Sequence, residues 1–156
     1  MILQIVGFKN SGKTTLMEHM VSFLKSQGYT VATIKHHGHS QEDIALQSDD
    51  VDHMKHFEAG ADQSIVQGTN FQQTVTRHNK QNLTQIIEKS VTIDTNIILV
   101  EGFKQADYNK VIVYKDEQQL RELEQLSHIC YSINIWETKD FTTFDEWLLN
   151  RIKIEG

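Results

Sequence analysis

Nine residues near the amino end, Gly7-Phe8-Lys9-Asn10-Ser11-Gly12-Lys13-Thr14-Thr15, fill every fixed position of the pattern G-x-x-x-x-G-K-[ST]. Each position has a mechanical reason. Gly7 and Gly12 let the backbone turn tightly around an anion with no Cβ in the way. The amides of residues 10–15, with Asn10, Ser11 and Thr15 among them, then converge on phosphate oxygens at a helix N-terminus, where unpaired N–H groups and the helix dipole both favour negative charge. The Lys13 ammonium reaches the β- and γ-phosphates, and the Thr14 hydroxyl is the expected Mg²⁺ ligand. A strand before the loop and an amphipathic helix after it supply the context the motif needs.

A phosphate loop of this kind works with an acidic group on a neighbouring strand end that holds or orients the metal. Glu101 fits, because it directly follows the buried run Ile97-Ile98-Leu99-Val100 and precedes Gly102. In a parallel sheet that position faces the crevice beside the loop. Lys13 and Glu101 are therefore the expected catalytic pair, and Thr14 and Glu101 the expected metal pair. Lys35 closes the second apolar strand, so Lys35-His36 is aimed at the same crevice. Five of the eight histidines, His36, His37, His39, His53 and His56, fall within 21 residues. Imidazole suits zinc or nickel, which leaves a nucleotide-gated metallochaperone open as a second reading. A small-metabolite kinase is a third, weakened by the shortage of arginine. Arg77, Arg121 and Arg151 are all the chain has, and kinases use arginine to stabilise the transferred phosphoryl charge. Guanine-reading loops of the form Asn/Thr-Lys-x-Asp are missed twice, at Asn79-Lys80-Gln81-Asn82 and at Thr138-Lys139-Asp140-Phe141.

The elements that must position these residues follow from apolar periodicity. Ile2 to Val6 and Tyr29 to Ile34 read as strands, separated by a helix whose stripe is Leu16, Met17, Met20, Val21, Phe23 and Leu24. A short helix around Val51, Met54 and Phe57 is followed by Ile65-Val66, a Gly68-Thr69-Asn70 turn and the alternating stretch Phe71 to Thr76, a hairpin pattern. Leu83, Ile86 and Ile87 mark a helix, Ile97 to Val100 and Val111 to Tyr114 strands, and Leu120, Leu123 and Leu126 a helix. A strand near Ile129 to Ile135 precedes a last helix with a capping-box signal at Thr143 and Glu146. Strands alternating with helices predict an α/β fold, P-loop NTPase-like, with a mostly parallel sheet and helices on both faces. Residues 1–156 read as a single nucleotide-binding domain.

Composition bounds the function. With 15 Lys+Arg against 21 Asp+Glu, the net charge of −6 argues against a nucleic-acid binder. No apolar run approaches the ~20 residues of a membrane span, and no secretory signal is expected from Met1-Ile2-Leu3. Cys130 is the one cysteine and cannot form an internal disulfide. The cytoplasm is the expected compartment.

Four segments together resemble one family, the MobB-type molybdopterin-guanine dinucleotide biosynthesis proteins. They are Gly7 to Thr15, Lys35-His36-His37-Gly38-His39, the stretch Asp52 to Ala61 ending in Ala59-Gly60-Ala61, and Val100-Glu101-Gly102-Phe103-Lys104 followed by Lys110-Val111. The resemblance covers about the first 115 residues. It implies a GTP-binding homodimer with weak GTPase activity and GTP and Mg²⁺ as cofactors. The implied partner is the MobA-type guanylyltransferase that attaches GMP to molybdopterin, with molybdopterin itself a further implied ligand. Lys13, Thr14 and Glu101 carry over as nucleotide and metal groups, and Lys35, His36 and His39 fall on the second motif, facing nucleotide or pterin. Asn109 departs from the family, where proline often precedes Lys110.

Overall fold

In the computed structural model the buried runs become five parallel strands: β1 (Ile2–Gly7), β2 (Val31–Lys35), β5 (Ile97–Glu101), β6 (Lys110–Val113) and β7 (Ile129–Ile133). They pair in the order β2-β5-β1-β6-β7. Residues 1–38 and 43–155 are described. They divide into two compact units, residues 1–38 with 83–155, and residues 43–82.

The sheet has helices on both faces, as predicted, because strand side chains alternate. Leu3 and Ile5 of β1, Leu99 of β5, and Val111 and Val113 of β6 point to one face. There they meet helix α1 (Lys13–Ser26) through Leu16, Met20 and Leu24, and helix α5 (Thr142–Glu155) through Phe144, Leu148 and Ile152. Each such fully buried side chain contributes about 1.5–3 kcal/mol relative to exposure. On the opposite face Ile98 and Val100 pack with Leu83 of helix α3 (Leu83–Ser90). Val6 and Ile112 pack there with Leu123 of helix α4 (Glu117–Leu123).

Two helix ends differ from the sequence reading. Helix α5 begins at Thr142, and the carboxylate of Asp140 accepts the Thr142 amide at 2.9 Å. Thr143 therefore lies inside the first turn rather than capping it. Helix α4 stops at Leu123, so Leu126 lies beyond its end; the Asp116 side chain caps its start by accepting the Gln119 amide at 2.9 Å.

The second unit is a helix on a hairpin. Strands β3 (Gln63–Gln67) and β4 (Gln72–Thr76) pair antiparallel, and Gly68 N–H donates to the Phe71 carbonyl at 2.8 Å to close the turn. Met54 and Phe57 of helix α2 (Asp52–Glu58) are buried in it. Arg77 lies over the Phe57 ring at 4.0 Å and donates to the Phe57 carbonyl at 2.8 Å. Among the described residues no helix is long and apolar enough to cross a membrane.

Candidate functional site

The phosphate-loop pattern lies where β1 ends and α1 starts, at the carboxyl edge of the sheet. β1 is flanked by β5 on one side and β6 on the other, and the strand order reverses around it, which makes its carboxyl end the position where sheets of this kind form a ligand crevice. Gly7 is buried and is the register partner of Val113 in β6. A Cβ there would run into the Val113 carbonyl oxygen and come within 2.6 Å of Ser11 Oγ. Gly12 has φ 100°, and a Cβ would run into the Ile135 side chain. Asn10 also takes a left-handed conformation, φ 58°, which short polar side chains tolerate better than most. These conformations fold residues 8–12 back so that Ser11 N–H donates to the Phe8 carbonyl at 3.3 Å.

Gly12 has no side chain to cap α1, and its carbonyl accepts the Leu16 amide at 3.1 Å. The amides of the first turn, on Lys13, Thr14 and Thr15, have no intrahelical partners by geometry, and Thr14 and Thr15 are exposed. No acidic residue occupies that first turn. Ser11 is buried, and its hydroxyl has no hydrogen-bond partner among the described residues. The Lys13 ammonium bends back to donate to the Phe8 carbonyl at 2.6 Å, closing a ring over the loop.

The sheet register brings the strand-end residues together. Lys35 is the last residue of β2 and Glu101 the last of β5; they are direct partners, and Glu101 also faces Ile5. Glu101 is 12% exposed, and the Lys35 ammonium, 64% exposed, stands 3.5 Å from its carboxylate. Burial pushes the Lys13 ammonium below the ordinary lysine value; Glu101 opposes that shift, while Lys104 and Lys35 add to it. One carboxylate and three ammonium groups thus share an electrostatic neighbourhood, and the cations outnumber it.

Lys104 is the site residue that sequence reasoning missed. Its ammonium lies 4.5 Å from the centre of the Phe8 ring, over the phosphate loop itself. The preceding turn carries it there: Gly102 and Phe103 both have positive φ, 98° and 55°. Phe103 packs against His36 with the rings tilted and their centroids 4.5 Å apart, and the His36 backbone N–H donates to the Glu101 carbonyl at 2.9 Å. His36 is thus packed at the crevice margin. The sequence signal for Lys104 was present, in its spacing three residues beyond a strand-end carboxylate.

His39 lies outside the described residues. His53 belongs to the second unit, where its ring bonds the Gln47 side chain at 2.6 Å. No group of three His, Cys, Asp or Glu suited to a metal ion occurs among the described residues. Arg77 serves the second unit, and Arg151 pairs with Glu155 within α5.

A parallel α/β sheet with a glycine-rich loop feeding a helix N-terminus at its switch point defines a P-loop NTPase-like protein. The chain belongs to the family described as molybdopterin guanine dinucleotide synthesis protein B, whose model matches residues 2–133. It is similar to the probable molybdopterin-guanine dinucleotide biosynthesis adapter protein of Bacillus subtilis, 38% identical over 129 residues, 82% of this chain and 73% of that one. It is also similar to the crystal structure of Bacillus subtilis MobB, with TM-score 0.72 and 30% identity over 96% of each chain. The MobB homolog from Bacillus stearothermophilus, at 24% identity and TM-score 0.74 over 98% of each chain, shares the fold. The aligned region spans between 48% and 73% of the length of the curated relatives.

Proposed function

We propose that this chain is an adapter in molybdopterin-guanine dinucleotide biosynthesis that binds GTP with Mg²⁺ at the Gly7–Thr15 loop. It acts as a homodimer beside a MobA-type guanylyltransferase and near its molybdopterin substrate. The observation that carries the nucleotide half is the gathering of lysines at the loop: Lys13 bonds the Phe8 carbonyl at 2.6 Å, Lys104 lies 4.5 Å from the centre of the Phe8 ring, and Lys35 stands 3.5 Å from Glu101 at the neighbouring strand ends. Lys13 holds a neutral backbone carbonyl, and a triphosphate offers it a far better partner.

The donor set suits a hard cation. Magnesium prefers a few oxygen ligands and keeps several waters. The exposed Thr14 hydroxyl, in the first turn of α1, and the Glu101 carboxylate, at the end of β5, are oxygen donors of that kind. When bound, the metal neutralises phosphate charge. The protein's own groups then divide the work: the amides of residues 12–15 and Lys13 hold phosphates, Thr14 and Glu101 hold the metal, and Lys35 pairs with Glu101 at 3.5 Å. Hydrolysis is slow in this reading. Two of the three arginines, Arg77 and Arg151, are committed elsewhere, which leaves few bidentate donors of the kind that accelerates phosphoryl transfer in fast systems.

The test is a titration of the purified chain with GTP and ATP, with and without Mg²⁺, followed by addition of a MobA-type transferase. Tighter binding of GTP, dependence on Mg²⁺ and stimulated transfer of GMP to molybdopterin are expected. Failure to bind either triphosphate overturns the nucleotide reading; tight GTP binding without stimulation overturns the adapter reading. Sedimentation equilibrium checks the homodimer.

A further inference from the structure

Two polar side chains lie in the middle of the apolar sheet. Gln4 of β1 and Lys110 of β6 are both 0% exposed, and they are direct register partners. Their neighbours along the strands are Leu3, Ile5, Val6 and Val111 to Val113, so valine or isoleucine is the expected occupant of either position. Burying an amide or an ammonium costs several kcal/mol unless each is well bonded. Both spend their donors on one segment, residues 102–109, which links β5 to β6.

The Gln4 amide nitrogen donates to the carbonyls of Gly102 at 3.0 Å and Phe103 at 2.7 Å. Lys110 Nζ donates to the carbonyls of Ala106 at 2.6 Å and Tyr108 at 3.0 Å. An ammonium donates three hydrogen bonds and accepts none, which matches a segment that turns its carbonyls inward. The backbone adds Ala106 N–H to the Phe103 carbonyl at 2.8 Å and Gln4 N–H to the Asn109 carbonyl at 2.9 Å. At the outer edge His128 Nε2 lies 2.6 Å from the Asp107 carboxylate. The Gln4 carbonyl oxygen has no partner among the described residues, so the side chain serves the loop as a donor.

The two anchors flank Lys104. Before it, Gln4 holds Gly102 and Phe103 in their left-handed turn; after it, Lys110 holds Ala106 and Tyr108. Between them the Lys104 ammonium is delivered over Phe8. We propose that Gln4 and Lys110 are positioning residues: they pin the 102–109 loop from inside the sheet and so hold Lys104 at the phosphate loop, where it meets the anionic tail of a nucleoside triphosphate. The nucleotide part of this proposal rests on the function proposed above; the pinning does not.

Hydrogen exchange and a double-mutant cycle test the two parts. Lys110→Met, and Gln4→Leu should the first variant fail to fold, speeds exchange of the amides of residues 103–109 by tenfold or more while α1 and β5 stay protected. In titrations with GTP and with inorganic tripolyphosphate, Lys110→Met and Lys104→Ala each weaken binding by about tenfold, the value of one charge-assisted bond. The double variant loses no more than either alone, because Lys110 acts through Lys104. A general loss of structure would add to the Lys104→Ala effect instead, and additive losses overturn the positioning role. Unchanged exchange at 103–109 overturns the pinning whatever the wild-type chain binds. If the wild-type chain binds no triphosphate while exchange rises as expected, the nucleotide reading falls and the pinned loop stands.

Discussion

Lys35 and Glu101 face one another across the β2–β5 register at the carboxyl edge of the sheet, with 3.5 Å between ammonium and carboxylate. Two strands far apart in sequence thus set a charge pair beside the phosphate loop. Because Lys35 is largely exposed, the pair contributes at most about 1 kcal/mol to stability. Its consequence is positional: it brings one carboxylate and one ammonium group to the strand ends beside the phosphate loop.

Replacing that carboxylate should therefore separate metal-dependent from metal-free binding. Glu101→Gln removes a negative charge and exchanges one oxygen of the carboxylate proposed above to hold Mg²⁺ for an amide nitrogen. Without Mg²⁺ the variant binds GTP about threefold or more tighter, given charge separations of a few ångströms at high effective dielectric. With Mg²⁺ the wild-type advantage from the metal is largely lost. Isothermal titration at two metal concentrations reads both effects, and an unaltered Mg²⁺ response in the variant dismisses Glu101 as a metal group.

Lys13→Ala should uncouple binding from stability. The ammonium is partly desolvated and stands near two like charges, so its removal relieves a cost that offsets the lost bond to the Phe8 carbonyl. The unliganded variant then melts within about 2 °C of wild type, on the scale of half a kcal/mol for a chain this long. Triphosphate affinity falls about 10- to 100-fold, the value of one strong charged hydrogen bond. Equal affinity in the two proteins would remove Lys13 from the site.

Much of this was legible in the sequence because it rests on local pattern. The strand-loop-helix at Gly7–Thr15, the strand-end positions of Lys35 and Glu101 and the β3–β4 hairpin follow from spacing and turn residues within short windows. The anchors of the 102–109 loop were not legible. Gln4 sits in a run that reads as an ordinary buried strand, and only the pairing of β1 with β6 reveals Lys110 as its neighbour, 106 positions away. Lys104 was legible as a lysine three residues beyond Glu101, but the destination of its ammonium was not. Its placement depends on positive φ at Phe103, a bulky residue that no pattern predicts in that conformation. The start of α5 was misread because the Thr143–Glu146 spacing competes with Asp140, whose carboxylate takes the Thr142 amide.

Gly7 is constrained by packing against the neighbouring strand. A methyl group there collides with the Val113 carbonyl, a backbone atom fixed in the neighbouring strand, and crowds Ser11 Oγ. Gly7→Ala should cost about 2 kcal/mol, within the range for an overpacked core. Urea unfolding measures it as a lower midpoint with an unaltered slope. A midpoint equal to wild type means that the β1–β6 pairing yields at this point, and the close approach is not required.

The depressed Lys13 gives stability and binding opposite responses to alkaline pH. Burial, Lys104 and Lys35 hold its folded-state value below 10.5, with Glu101 opposing. Between that value and 10.5 the unfolded chain binds more protons than the folded one, so the free energy of unfolding rises with pH across this window. Below the window the cost of the buried cation is fully present. Lys110 is depressed by desolvation and acts in the same direction, while Cys130, raised by burial, acts in the other. The comparison is therefore made against Lys13→Arg, which keeps its charge throughout and leaves the other two groups in place. The wild-type curve climbs relative to the variant as the window is crossed, whereas its tripolyphosphate affinity falls relative to the variant, because the neutral amine no longer pairs with phosphate. Urea unfolding and calorimetric titration from neutral pH to about 10.5 read both trends. Parallel curves for the two proteins would show that Lys13 is not desolvated at the loop.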